Sequence, residues 1–345
     1  MDSTIVLFLL QDAVVNGAIY ALVGIALVLV FAVTRVILIP QGEFVAFAAL
    51  TLASLQSGNR PAMAWLLIVL GALSALVLLI RTRRILTIAR AVRILGWNVA
   101  LPAAIAAIAF AVAPLKLGLV VNILVTLALI VPFGVILYDL AFDVLAEASV
   151  LTLLIVAFGV HLALTGLGLA FFGPEGVNTP ALWTDSFNVG ALVVSGQSLC
   201  ILGVTVVLMA GLGWFFRDTL IGKALRACSV NRLGARLVGM PTAVAGRLAF
   251  GVAAFIGAVS GILIGAVTTI YYDSGFLIGL KGFVAAIVAG LGSYPFTVIA
   301  ALLVGVVESF ASFWASAYKE VLVFTIIIPF LLFRSLGGHG AEEEE

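Results

Sequence analysis

Apolar residues run in blocks of about 20, the length an α-helix needs to cross a hydrocarbon core of about 30 Å. Short breaks containing polar residues, Gly, Pro or Arg separate the blocks. Eleven segments are legible, over 4–33, 36–57, 62–80, 94–113, 116–138, 149–170, 196–216, 248–270, 276–293, 296–313 and 320–334. The apolar–polar alternation of a membrane β-barrel is absent. The pattern predicts an all-α, polytopic transmembrane helical bundle that takes in the whole chain, 1–345, as one domain. Two segments are interrupted: 36–57 by Pro40, Gln41, Gly42 and Glu43, and 276–293 by Gly279, Lys281 and Gly282. Both are expected to be broken or re-entrant. Gly257, Gly261 and Gly265 recur every four residues, which places them on one helix face and lets another backbone approach closely.

Composition agrees. Charged residues make up 10% of the chain and mean hydropathy is +1.32, against roughly 25% charged in soluble domains. The N-terminal "MDSTIVLFLLQDAVV" lacks the basic flank and small-residue cleavage site of a signal peptide, so the first segment is read as a retained span. Cys200 and Cys228 are too few for a disulfide framework, and the topology below puts them in different compartments.

Placement of charge gives an orientation. Of 17 Lys and Arg residues, eleven lie in two stretches, 81–93 and 217–247. Basic residues in short loops mark the cytoplasmic side. Four segments separate the two stretches, so both can be cytoplasmic. The N-terminus then lies outside and the C-terminus inside, while the loop 171–188, with two acids and no Lys or Arg, falls outside. Asp139, Asp143 and Glu147 run against this pattern, since they occupy an elbow placed inside. Acids contribute little to orientation, and the assignment stands. The acidic tail 339–345 reads as solvated and disordered.

Enzymatic constellations are scarce. His161 is the one His outside the tail, no set of ligands converges as a metal site requires, and "GK" at 222–223 lacks the leading Gly and following Ser or Thr of a phosphate-binding loop. No enzyme activity, metal, bound cofactor or nucleic-acid partner is expected of this chain, and any ATP dependence must come from another subunit. Ionisable residues inside apolar runs are functional candidates by default. Here they are Asp12, Glu43, Lys281, Glu308 and His161. Asp12 is read as reaching the interface and His161 as a hydrogen-bonded packing residue. Gln41, Gly42, Glu43, Gly279, Lys281 and Glu308 are candidates for lining a solute pathway, because broken helices expose backbone dipoles to a polar solute. The plainer alternative for each ionisable one is an internal ion pair or helix–helix hydrogen bond.

The stretch "GKALRACSVNRLGARLVGM", 222–240, carries Lys223, Arg226, Arg232 and Arg236 and no acid. Gly222 to Ser229 can form a short helical turn. Asn231 suits an N-cap, Arg232 to Val238 a second short helix, and Gly239 its stop. Leu225, Leu233, Leu237 and Val238 offer apolar contact and the arginines a polar rim. Composition alone leaves two readings open, a shaped docking element or an ordinary basic loop.

This stretch resembles the cytoplasmic loop of permeases in bacterial ABC importers for branched-chain amino acids. The matching positions are Gly222, Lys223, Ala224, Arg226, Ala227, Asn231, Ala235, Arg236, Leu237, Gly239 and Met240. "NGAIYALVGIAL" from Asn16, "LLIVAFGVHLAL" followed by "FFGPEG", "GLKGFVAAIVAGLGS" from Gly279, and "GVVESFASF" with "AYKEVLVF" are similar to further stretches of that family. The chain departs from it where Gln41 replaces a His and Pro40 is added, where Phe296 follows Pro295, and where Ser335 follows Arg334. Residues 58–115 read as a two-span insertion with the basic linker 81–93.

The resemblance implies a permease domain whose segment 217–247 is an ATPase-coupling loop, with Gly222, Lys223, Arg226, Asn231, Arg232, Ala235, Arg236, Leu237 and Gly239 as its coupling residues. It implies a second permease subunit, two ABC ATPase subunits that bind ATP-Mg, and an extracytoplasmic solute-binding protein as partners. It places the chain in the bacterial inner membrane, in contact with lipid, importing branched-chain or related amino acids. Relatives also carry urea, short amides or aromatic carboxylates. A stand-alone secondary transporter, with Glu43, Glu308 or Lys281 as ion couplers, would show an internal repeat, and none is detectable. A scaffold without transport is disfavoured by the two interrupted polar segments.

Overall fold

The computed structural model describes residues 3–83, 87–189, 192–237, 239–240 and 242–338. Arg84, Val238 and the acidic tail 339–345 lie outside the described residues. Fifteen α-helices follow one another: α1 Ser3–Thr34, α2 Gln41–Gln56, α3 Ala62–Thr82, α4 Ile88–Leu95, α5 Leu101–Val112, α6 Leu119–Leu137, α7 Val150–Phe172, α8 Gly196–Asp218, α9 Leu220–Val230, α10 Arg232–Leu237, α11 Thr242–Ile264, α12 Ser274–Val288, α13 Tyr294–Trp314, α14 Lys319–Thr325 and α15 Ile327–Gly338. A π-helical turn, Gly96–Ala100, joins α4 to α5, and another, Tyr138–Phe142, extends α6. The hairpin β1 Ser186–Val189 and β2 Leu192–Ser195 is the one sheet among the described residues, with Ser186 opposite Ser195.

Every apolar segment contains helix, but the count of full spans is smaller than eleven. Among the described residues, eight helices are long and apolar enough to cross a membrane, from Thr4–Thr34 to Tyr294–Trp314. The two interrupted segments yield the shorter α2 and α12, of 16 and 15 residues; α12 is short but not broken, since it stays helical through Gly279, Lys281 and Gly282. The last segment splits at Ile326 into α14 and α15. Segment 36–57 loses its first turn: Arg35 takes a left-handed φ of 63°, and the chain stays non-helical until Gln41. Pro40 lacks the N–H that a continuous helix would need from it.

The core is α1 surrounded by α11, α12 and α13, with α2 wedged between α11 and α12 and α6 against α11. Gly257 meets Phe44, Gly261 the Val45 carbonyl, and Gly265 Ala49, so the three spaced glycines form the seat of α2. Gly42 lies so close to Gly275 and Gly279 that a Cβ on it would overlap the Gly275 carbonyl. Such backbone proximity lets a short helix pack by dispersion contacts where lipid supplies no hydrophobic drive. Helices α3 to α5 pack beside α6, away from α1. Helices α7 and α8 are peripheral and expose apolar side chains such as Ile155, Leu162, Val206 and Val207.

Candidate functional site

Helices α9 and α10 form a small knob at one end of the bundle. Thr219 starts α9 by accepting from the Gly222 N–H at 3.0 Å, and Asn231 starts α10 by accepting from the Gly234 N–H at 2.8 Å. Gly239, at φ 85°, ends α10. Gly222 lets α9 fold back on the last turn of α8, where any Cβ would overlap the Phe215 backbone. Helix α9 runs from Leu220 to Val230, longer at both ends than the sequence suggested.

The underside of the knob is apolar. Leu225, Cys228 and Ala235 are buried with Leu29 and Val33 of α1, Phe216 of α8, and Ala245 and Ala249 of α11. Burial pushes the Cys228 thiol up, with Arg232 opposing. The upper side is apolar as well: Val230, Leu233 and Leu237 are exposed. Leu225 is thus an anchor of the knob, and Leu233 and Leu237 are its outer surface.

The cations divide the same way. Arg232 donates to the Ala146 carbonyl at 2.8 Å, Arg236 to Glu147 at 2.8 Å and Arg247 to Asp139 at 2.6 Å. Arg81 reaches Asp143 at 3.3 Å. The elbow 139–147 therefore supplies counter-ions, which accounts for acids on a basic end. Both arginines of α10 are engaged by the elbow, Arg236 in a pair that stays exposed. The hydrogen bond and charge of Arg236 hold the Glu147 carboxyl below the usual glutamate range. Lys223 and Arg226 make no side-chain hydrogen bond or ion pair among the described residues. They line an open hollow of about 520 Å³ with Ala227, Val230, Asn231 and Gly234.

The pathway candidates gather in two places inside the bundle. At the break, Gln41 donates to the Ala253 carbonyl at 3.0 Å, and Glu43 is paired with His161, whose ring stacks on Phe276 at 4.5 Å. Gly42 and Gly279 close the gap between α2 and α12. Beside them lies a cavity of about 220 Å³ lined by Leu38, Ile39, Phe158, Phe276, Gly279 and Phe283. In the second place Lys281 donates to Glu308 at 2.5 Å and lies 3.2 Å from Glu320, while Tyr20 donates to Glu308 at 2.5 Å. The internal pairings offered as the plainer reading are thus present for Glu43, Lys281 and Glu308. At Gly42 the α2 and α12 backbones touch, with no room for even a Cβ between them.

Sequence reasoning did not single out Tyr20, Phe276 or the counter-ion role of the elbow. The elbow carried a usable signal: three acids four residues apart without a cation, in a chain whose basic stretch 222–240 has no acid. Tyr20 and Phe276 carried none, because an aromatic residue in an apolar run looks like packing.

A family model described as "Branched-chain amino acid transport system / permease component" matches residues 9–331. The high-affinity branched-chain amino acid transport system permease protein BraD of Pseudomonas aeruginosa is 31% identical over 220 residues, covering 62% of this chain and 72% of BraD. The corresponding protein LivH of Escherichia coli K12 is 32% identical over 199 residues, covering 56% of this chain and 65% of LivH. The chain thus spans just under two-thirds of the length of LivH. The solved PsaBC from Streptococcus pneumoniae in complex with Fab is a distant likeness, at 13% identity and a TM-score of 0.40 over 94% of this chain and 90% of that one.

Proposed function

Because this chain belongs to the permease family of branched-chain amino acid transport systems, we propose that it is the membrane subunit of an ABC importer for branched-chain or related amino acids, driven through the α9–α10 knob. The observation that carries this reading is the knob's two-sided construction. Its buried face is fixed to α1, α8 and α11, and its outer face offers Val230, Leu233 and Leu237 beside unpaired Lys223 and Arg226. A partner that grips the outer face moves three spans together.

On this reading the partners are two ATPase subunits that hold ATP-Mg, a second permease and an extracytoplasmic solute-binding protein. The basic end faces the cytoplasm, by the excess of Lys and Arg there, so the N-terminus lies outside and the C-terminus inside, in a bacterial inner membrane. We read residues 58–115 as a two-span insertion; its helices α3 and α5 lie against α6 rather than against the knob's apolar underside. ATP-driven closure of the ATPases favours one of two bundle conformations by differential contact with the knob. The present conformation is closed at Gly42–Gly279. Opening there would bring a solute past Gln41, Glu43, Lys281 and Glu308, with the apolar cavity beside the break suited to a small aliphatic side chain. Reconstitution tests the reading. Uptake should require the partner ATPases and ATP, and solute movement by this chain alone under an ion gradient would refute it.

A further inference from the structure

Beneath the knob, between α8, α9, α13 and the end of α1, lies a cavity of about 550 Å³. That volume is in the range of about 300–1,000 Å³ found for ligand sites. Its floor is buried and apolar: Leu29, Phe216 and Leu225. Gly213 on α8 and Ile299 on α13 line it and are exposed, so it opens sideways between these helices. Trp214, next to Gly213, and Phe296, one turn before Ile299, are exposed as well, an apolar surface of the kind that lipid covers. Gly213 lies five residues before the end of α8 and Ile299 five after the start of α13, about 8 Å along each helix. The mouth is therefore one to two turns below the bundle's basic end.

One wall is polar. Arg226 borders the cavity together with Ser229 and Tyr294. Arg226 also lines the open hollow that holds Lys223, and neither cation has an ion-pair partner among the described residues. An elongated apolar slot reached from the membrane, ending at an unpaired guanidinium near the interface, matches an amphiphile with an acyl chain and an anionic head. Basic pockets between transmembrane helices hold anionic lipid heads in this way.

We propose that this cavity is a site for one anionic phospholipid, its acyl chain lying on Leu29, Met209, Phe216 and Val298 and its phosphate at Arg226. A chain in this position braces α9 against α1 and α13, so the knob's attachment to the bundle includes a lipid. The inference does not depend on ATPase coupling, and its test is read without ATPase.

The test is native mass spectrometry of the purified full chain exchanged into equal phosphatidylglycerol and phosphatidylcholine. The wild type should retain one phosphatidylglycerol with a preference of about fivefold, the size expected for one basic side chain near an anionic head. Gly213→Phe should lose the retained lipid. It adds a side chain at the mouth where a Cβ meets no atom within 4 Å, so the helix accepts it. Arg226→Gln should keep a lipid but bring the preference near parity. Equal retention of both lipids by the wild type, or full retention by Gly213→Phe, would overturn the site. In the assembled transporter a photoactivatable acyl chain should label the peptides around Gly213 and Val298. Labelling of those peptides by a neighbouring protein chain instead would show that a subunit fills the cavity, and would overturn it too.

Discussion

Arg247 donates from Nε to Asp139 Oδ1 at 2.6 Å, joining the first turns of α11 to the end of α6 across 108 residues of sequence. Asp139 is almost wholly buried and Arg247 partly so. With Arg232 on the Ala146 carbonyl and Arg236 on Glu147, the pair fastens the elbow 139–147 to the knob and to the helix that follows it. The knob is held from below by apolar burial and from the side by charge.

Removing one partner of a buried ion pair leaves the other charge unpaired, at a cost of roughly 3–5 kcal/mol. Partial exposure of Arg247 puts its loss at the lower end, about 3 kcal/mol. Arg247→Gln and Asp139→Asn should each lower the apparent melting temperature in detergent. The double variant should recover most of the loss, because neutral amides need no counter-charge. Additive losses in the double variant would mean that the two side chains do not act as a pair.

The knob's two faces should respond differently to substitution. Leu225→Ala removes a buried side chain and should destabilise by about 2–5 kcal/mol. Leu237→Glu and Arg226→Glu change exposed positions and should shift stability by no more than about 0.5 kcal/mol, yet both should uncouple ATP hydrolysis from uptake. Thermal unfolding and reconstituted uptake on the same preparations separate the two effects.

The Arg236–Glu147 contact should depend on acid and salt. Glu147 has a folded value held below its ordinary one, so its contribution is complete above the unfolded value, about 4.3. It is lost as pH falls through the lower folded value. Hydrogen exchange of the 231–237 amides should quicken in that acidic window, and Glu147→Gln should remove the step. High salt should weaken the contact at neutral pH, since both groups are exposed.

Glycines should divide by what faces them. Gly261→Ala drives a Cβ into the Val45 carbonyl and Gly42→Ala into that of Gly275. Each should cost about 1–3 kcal/mol through displaced backbones. Gly203→Ala on α8 meets open space and should stabilise by up to about 1 kcal/mol. A similar shift at all three positions, read by thermal unfolding, would contradict the packing of α2 between α11 and α12.

The sequence made the spans legible wherever apolar runs were long and unbroken, and it located the break before α2, because Pro40 is a poor helix residue; it overread Gly279 and Gly282, through which α12 stays helical. Asn231 and Gly239 carried the knob's shape through local chemistry. Long-range partnerships were not legible. Nothing local to Asp139 or Glu147 names Arg247 or Arg236, and Lys281 meets Glu308 and Glu320 only because α12, α13 and α14 converge. The split at Ile326 did have a local signal that the sequence reading passed over: Pro329 cannot donate to the Thr325 carbonyl four residues before it.

Coupling through the knob is tested most directly in proteoliposomes holding this chain with its second permease and both ATPases, supplied with loaded solute-binding protein and ATP inside. The double variant Leu233→Glu, Leu237→Glu alters two exposed leucines on the outer face of α10. It should insert and fold as the wild type does, retain the second permease, and lose ATP-dependent uptake together with binding of the ATPases. Undiminished uptake by this variant, with the ATPases still bound, would contradict the coupling role of the knob.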